Sequence, residues 1–310
     1  MLNCLIVGLG NIGMGYDIKK RNIQSHSKAI EIHEGFNLSG AIEKNKQKRI
    51  LFEKKYKKPT FKTFKSSFKL IKPDIVIISS STDSHLTVLK DILLLHKPKA
   101  IVCEKPLGTN LKESLEIYNL CKNNKIRLYV NFFRLSDPGI IKLKRKFVTP
   151  IEGSIIYSRG TLNNASHFIN TLQFWFGRIV KVNLIKKGSK FNKFDFNSSF
   201  SISFKYANFI FKPTNIKNRY TNSIIIHAKN GTLFYLNGGT NINWQKKKGD
   251  KKNSQILNDK TQKLYSGKKY SQLHFVNNLY YALKGKKSDI CNGHKAIKTL
   301  KIISSLYDKK

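Results

Sequence analysis

Three stretches of this 310-residue sequence combine residue types and spacings suited to chemistry. The first is GLGNIG, with Gly8, Gly10 and Gly13 directly after the apolar run LNCLIV. At this spacing the first glycine permits a tight turn, the second lets a pyrophosphate approach the backbone, and the third allows close helix–strand packing. A helix N-terminus behind the turn offers free N–H groups to the phosphates. Gly8, Gly10, Asn11, Ile12 and Gly13 are therefore expected to bind a dinucleotide. The acid that reads the adenosine ribose should follow about 20 residues on, at the end of the second strand. Glu43 closes SGAIE thirty residues past Gly13, so the first crossover carries extra length. A carboxylate there favours NAD, whereas Lys44, Lys46 and Lys48 suit the 2′-phosphate of NADP. NAD is the expected cofactor, with NADP as the alternative.

The second stretch is AIVCEKPLG, an apolar run that ends in Glu104, Lys105 and Pro106. Lysine is seldom inside a protein unless paired. Among apolar neighbours its pKa falls, and it can exchange protons near neutrality. Glu104 is expected to orient the loop, Pro106 to fix the chain direction, and the Lys105–Pro106 bond to be cis. Thr82 and His85, in SSSTDSH, end another apolar run, and open α/β sheets bind ligands at such strand ends. The third stretch is TLNNASHFINTLQFWFG, residues 161–177. Phe168, Leu172, Trp175 and Phe176 share one helical face and are expected to be core. His167, Asn170 and Phe174 share the adjoining face, which points His167 away from the apolar stripe and towards the cleft. Arg134, in YVNFFRLSDPG, suits a carboxylate or phosphate, and a surface or interdomain place is equally open. Tyr157 and Arg159 are weaker candidates for the cleft wall.

The elements that must position these residues alternate at first. Strands at LNCLIVGLG, FNLSGAIE, PDIVIISSS, PKAIVCEKP and IRLYVNFFR are separated by helices near 25–33, 46–56, 84–95 and 110–124, which implies βαβ units and a parallel sheet. After about residue 135, short strands succeed one another across tight turns, as antiparallel strands do. One helix near 164–176 interrupts them, and two more, near 270–284 and 294–307, close the chain. The expected fold is an α/β Rossmann domain over residues 1–130 and an α+β domain with an open, mostly antiparallel sheet over residues 131–310. The run KKKGDKKNS, residues 246–254, reads as a solvated loop.

Composition narrows the function classes. The chain carries 58 Lys and Arg against 18 Asp and Glu, a formal net charge of +40. Such an excess suits phosphate backbones, but the lysines run the full length and no zinc finger, RNA-recognition signature or basic heptad accompanies them. A nucleic-acid partner is not expected, although the field could speed capture of an anionic small substrate. No uncharged apolar run reaches the roughly 18 residues of a membrane span, and the first residues lack a basic n-region. The scattered cysteines Cys4, Cys103, Cys121 and Cys291 show no metal spacing. A cytoplasmic protein without a metal is expected.

GLGNIG, the loop through Thr82 and His85, CEKP and SHFIN, in this order, resemble the Gfo/Idh/MocA family of NAD(P)-dependent oxidoreductases. The resemblance implies a Rossmann domain beside an open-sheet domain whose outer face makes a dimer or tetramer of like chains. It implies that the Thr82–His85 loop lies beside the nicotinamide ribose, that Glu104 and Lys105 are in reach of the cofactor, and that Lys105 reaches substrate as well. It makes His167 the acid/base that exchanges a proton with a substrate hydroxyl as hydride moves to or from the nicotinamide. Asn131 and Arg134 fall where the family approaches its substrate, and Asn163 and Asn170 stand where many members carry Asp. An amide holds an imidazole but does not stabilise imidazolium as a carboxylate does, which shifts more of the proton chemistry to Lys105 or weakens activity. The expected activity is oxidoreduction at a CH–OH group of a sugar-like substrate, such as a nucleotide sugar or sugar acid of polysaccharide or amino-sugar metabolism. A non-catalytic NAD(P)-binding sensor or scaffold and an NAD-dependent glycosidase remain as alternatives.

Overall fold

The computed structural model describes all residues except 215, 217–221, 248–256 and 308–310. The chain divides into two compact units, residues 1–136 with 269–298, and residues 137–268 with 299–310. The first unit begins with β1 (Leu2–Val7), α1 (His26–Glu31), β2 (Phe36–Ile42), α2 (Lys46–Tyr56), β3 (Thr60–Phe61), α3 (Phe64–Leu70) and β4 (Ile75–Ile78). It continues through α4 (His85–Leu95), β5 (Ala100–Cys103), α5 (Leu111–Asn123) and β6 (Arg127–Val130). The six strands form a parallel sheet in the order β3-β2-β1-β4-β5-β6, the doubly wound arrangement whose ligand crevice lies at the strands' carboxyl ends. IVII of β4 and AIVC of β5 are buried along their whole length, as parallel strands covered by helices on both faces must be. Ser25, Asn45, Thr63 and Asn110 cap α1, α2, α3 and α5, each side chain accepting an N–H of the first turn and satisfying a donor the helix leaves open. The strand β3 and helix α3 are additions to the elements expected from sequence.

The second unit holds α6 (Pro138–Leu143), β7 (Ile151–Tyr157), α7 (Ser166–Phe176), β8 (Ile179–Lys186), a small hairpin of β9 (Lys190–Asn192) and β10 (Asp195–Phe196), then β11 (Ser199–Phe204) and β12 (Ala207–Pro213). It continues with β13 (Ser223–Ala228), β14 (Gly231–Leu236), β15 (Asn241–Lys247) and β16 (Leu257–Lys263). Its main sheet runs β16-β15-β14-β13-β7-β12-β11-β8. Only the β7–β12 pairing is parallel among these described strands. β12 alternates buried and exposed residues along its length, so one face packs inward, where Phe200 and Phe211 stack at 4.4 Å. Phe168, Leu172 and Trp175 of α7 are buried, and Trp175 Nε1 donates to Ile140 O at 2.9 Å. Phe176 is half-buried and stacks on Phe209.

The division differs from a boundary at residue 130. After β16 the chain returns to the first unit with α8 (Ser271–Leu283), because Phe275, Val276 and Leu279 join Cys4, Ile6 and Phe36 in one core. The last helix, α9 (Gly293–Ser305), is counted with the first unit up to Lys298 and with the second from Thr299. Of the charged run at 246–254, residues 246 and 247 close β15 and the rest lie outside the described residues. Among the described residues no helix is long and apolar enough to cross a membrane.

Candidate functional site

The glycine turn leaves β1 at its carboxyl end. Gly8 has φ +94°, and a Cβ there would lie 2.8 Å from Ser80 N, so neither the backbone nor β4's end admits a side chain. A Cβ on Gly13 would collide with the Gly8 carbonyl, whereas Gly10 faces open space. Residues 10–16 make a helical turn through Met14 N–H to Gly10 O at 2.9 Å and Tyr16 N–H to Asn11 O at 2.8 Å. The helix does not simply continue from there, which corrects the expectation of free helical N–H groups directly behind the glycines. Residues 14–25 loop out around buried Asp17, which accepts Ser25 Oγ–H at 2.6 Å and the Gln24 and Ser25 N–H groups at 2.5 and 2.9 Å. Helix α1 then starts at His26, and its His26 and Ser27 N–H groups donate to Ile12 O and Gly13 O at 2.9 and 3.0 Å. The leading donors of α1 are thus spent on the protein itself, and the loop accounts for the long first crossover.

Glu43 follows β2, half-buried, with Oε2 accepting Leu9 N–H at 2.7 Å and Oε1 accepting Asn45 N–H at 2.9 Å. Gly8, Gly10, Glu43, Lys44, Lys48 and Lys62 are among the residues lining a cleft of about 430 Å³ here. Lys46 does not line it, and Lys62, which the sequence did not single out, does. A glycine cradle that a Cβ would fill, with a carboxylate beside it, fits a dinucleotide such as NAD.

Thr82 lies in the turn after β4, partly exposed. His85 is 1% exposed, with Nδ1 3.2 Å from Leu107 O and Nε2 3.2 Å from Ser80 O. Burial holds its pKa below the ordinary histidine value. It therefore fastens the loop after β4 to the loop after β5 and acts on any ligand through the backbone it holds. Beyond β5, Lys105 is partly exposed and its bond to Pro106 is cis. Glu104 is buried, with Oε1 2.7 Å from His26 Nε2 and accepting Asn131 Nδ2–H at 2.5 Å. Burial by itself would raise its pKa, but these bonds and the charges of His26 and Lys105 hold it below the ordinary carboxylate value. Asn131 thus serves Glu104, and Arg134 is buried with its guanidinium carbon 5.0 Å from the Phe133 ring centre. His26 and Asp17 carry this arrangement without a motif to announce them; only the Ser25 cap ahead of an apolar run was readable.

In the second unit the stretch at 161–177 is not one uniform helix. Thr161–Ala165 form a π-helical turn that leads into α7, a feature frequent at functional sites. Asp195, buried, accepts the Leu162 and Asn163 N–H groups at 2.9 and 2.8 Å. Burial raises its pKa above the ordinary carboxylate value despite these bonds. His167 and Asn170 are both buried on α7. Asn170 Nδ2 donates to Thr299 Oγ1 at 2.9 Å, and Asn163 Nδ2 donates to Arg159 O at 3.0 Å. Tyr157 is fully buried, its hydroxyl on Thr161 Oγ1 and Ser198 O, so it is a strut of the core instead of a cleft wall. Among the described residues no group of three or more His, Cys, Asp or Glu gathers as a metal site.

A doubly wound parallel sheet with this glycine turn, an acid behind β2 and Glu–Lys–Pro behind β5 is an NAD-binding domain of oxidoreductase type. Residues 2–132 match the Gfo/Idh/MocA family model, described as "Oxidoreductase family, NAD-binding Rossmann fold". Solved structures share the fold over nearly the whole chain. An oxidoreductase from Agrobacterium radiobacter, solved with NAD+, L-tartaric acid and magnesium, is 15% identical, with 99% of this chain and 95% of that one covered and a TM-score of 0.74. The WlbA dehydrogenase from Bordetella pertussis, solved with NADH and UDP-GlcNAcA, is 14% identical over 99% and 94% of the chains, TM-score 0.72. The UDP-N-acetylglucosamine 3-dehydrogenase GnnA from Acidithiobacillus ferrooxidans is 11% identical over 98% and 96%, TM-score 0.73. No curated protein sequence matches the chain.

Proposed function

We propose that the chain is an NAD(P)-dependent dehydrogenase or reductase acting on a CH–OH group of a sugar-like substrate, of the nucleotide-sugar or sugar-acid class. The observation that carries this reading is the carboxyl end of the first unit's sheet. There a glycine cradle after β1, an acid after β2 and a lysine beside a buried carboxylate after β5 stand at the carboxyl ends of strands of one sheet. Structural relatives solved with NADH and UDP-GlcNAcA, or named as a UDP-N-acetylglucosamine 3-dehydrogenase, support the substrate class. When bound, the nicotinamide supplies a site that accepts or gives hydride. Glu43 retains acceptor capacity for ribose hydroxyls beyond the two backbone donors it already takes. Thr82 and the backbone that His85 fastens flank the nicotinamide ribose. Lys105 and His167 hold and move the proton of the substrate hydroxyl, and Arg134 attracts an anionic group.

Isothermal titration with NAD(H) and NADP(H), followed by absorbance assays over a panel of UDP-sugars and sugar acids, tests the reading. Cofactor binding with turnover is expected. Lys105→Ala and His167→Ala should each lower kcat by at least about a hundredfold, the range of general acid–base contributions, with cofactor affinity retained. Binding without turnover on any substrate would favour the sensor reading, to which the Asn170–Thr299 bond gives some weight by turning an amide of the His167 face to α9.

Cytoplasmic residence is proposed on the same grounds as the activity. So is assembly with like chains through the outward face of the large sheet. Cross-strand register places Ile210, Ser154, Ile225 and Phe234 in one row there, and Ile210 is 54% exposed. Light scattering should give a dimer or tetramer that Ile225→Asp dissociates.

A further inference from the structure

Three buried polar side chains of the first unit, His26, Asn131 and Gln272, gather at buried Glu104. His26 Nε2 and Asn131 Nδ2 both donate to Oε1, at 2.7 and 2.5 Å, and Asn131 Nδ2 also lies 3.3 Å from Gln272 Oε1. His26 and Gln272 are 0% exposed, Asn131 1% and Glu104 8%. They come from the first residue of α1, the residue after β5, the residue after β6 and the second residue of α8. The chain's general lysine enrichment does not produce such a cluster, because it loads the surface with ammonium groups and leaves buried imidazoles and amides untouched. Nor does stability by itself explain it. His26 Nδ1, Asn131 Oδ1 and Gln272 Nε2 are buried without a hydrogen-bond partner among the described residues, a desolvation that nothing repays. An apolar set of similar volume would hold the fold at least as well.

The next residue in the chain gives the cluster a purpose. Glu104 N–H donates to Ile78 O at 2.9 Å, and Asn131 N–H donates to Cys103 O at 2.9 Å, so the backbone at the end of β5 is tied on both sides. The clamped carboxylate fixes the remaining freedom of Glu104, and Lys105 shares its peptide plane with Glu104. We propose that His26 and Asn131 are positioning residues, which clamp Glu104 and thereby set where the Lys105 ammonium stands at the carboxyl end of the sheet. Gln272 backs Asn131, which makes α8 part of the site's support. The inference rests on the proposed oxidoreductase reading for its catalytic consequence and on geometry for the clamp itself.

The test reads Lys105 directly. The full chain is treated with a limiting amount of an amine-acylating reagent, and mass spectrometry gives the labelling of Lys105 relative to exposed Lys112 in the same molecule. His26→Leu and Glu104→Gln are each expected to change that ratio at least about threefold and to lower kcat about tenfold, as small misplacements of a catalytic group do. The KM for the cofactor should stay within about twofold, the mark of an interaction used at the chemical step. His26→Gln, which keeps an N–H donor, should restore both readings towards wild type. An unchanged labelling ratio in folded Glu104→Gln, whose shape is conserved, overturns the clamp even where His26→Leu does not fold. A wild type that binds no nicotinamide cofactor overturns the functional reading instead, while the labelling ratio still decides the clamp.

Discussion

Two buried carboxylates, one in each unit, have been given opposite electrostatic treatment. Glu104 in the first unit takes bonds from two side chains and lies near the charge of Lys105, and its pKa is held down. Asp195 in the second unit is bonded by backbone N–H groups of Leu162, Asn163 and Phe196. Burial dominates there, and its pKa is pushed up. Both are inside and both are well bonded, and desolvation acts on each. At Glu104 the side-chain bond from His26, first, and then the His26 charge, the Asn131 bond and the Lys105 charge outweigh it, whereas the backbone bonds at Asp195 do not. The lesson is that the first unit keeps a charge at the end of its sheet, where chemistry is proposed. The second uses a carboxylate to close a π-helical turn.

The sharpest way to break this contrast is Gly160→Ala. Gly160 has φ +87°, and a Cβ there would collide with the Asp195 carboxylate. Backbone strain and overpacking together should cost about 3–5 kcal/mol, read as a large drop in the urea midpoint of the second unit with the first unit's transition unmoved. Next in size is the pH dependence of two neutral isosteres, Glu104→Gln and Asp195→Asn. The folded pKa of Glu104 is depressed, so its stabilisation is full above the ordinary glutamate value of about 4.3 and is lost as pH falls through the folded value. At pH 7, Glu104→Gln forfeits charge-assisted bonds of about 1.5–3 kcal/mol, and that deficit should shrink on acidification below the ordinary value. Asp195 has the opposite sign. Its folded pKa is raised, so the wild type should gain on Asp195→Asn as pH falls towards that value. Thermal melts of the three proteins from pH 7 to about 2.5 check both signs, and parallel shifts would remove the contrast.

The same contrast explains how much was legible in the sequence. GLGNIG, Glu43 and CEKP are local strings at strand ends, and the parallel sheet that presents them follows from runs such as IVII and AIVC that can only be buried. The apolar stripe Phe168, Leu172 and Trp175 was likewise set by helical period. The clamp on Glu104 was not legible, because His26, Asn131 and Gln272 are separated by up to 246 residues in the chain and no local period links them. Asp17 escaped for a related reason: an inserted loop organised by one carboxylate has no repeat to betray it, and its presence moved the start of α1 to His26. The helix α8 was seen but assigned to the wrong company, since its apolar face does not state which core it joins.

Glu43 supplies an intermediate case, and so the finest prediction. It is half-buried, takes two backbone N–H groups where Asp195 takes three, and shares its cleft with Lys44, Lys48 and Lys62, cations near it as Lys105 is near Glu104. If the cations govern, the cleft tolerates a 2′-phosphate and NADP competes with NAD. If the carboxylate governs, its charge repels that phosphate and its oxygens take the ribose hydroxyls, so NAD is preferred. We expect NAD preference in the wild type. Glu43→Gln removes the repulsion while keeping one acceptor oxygen, and should move the NAD-to-NADP affinity ratio about tenfold towards NADP, or about 1.4 kcal/mol. Lys44→Ala with Lys48→Ala should move it back, and more so at low ionic strength, because these side chains meet solvent and are screened. A ratio that responds to the lysines and ignores Glu43 would assign cofactor choice in this unit to its cations.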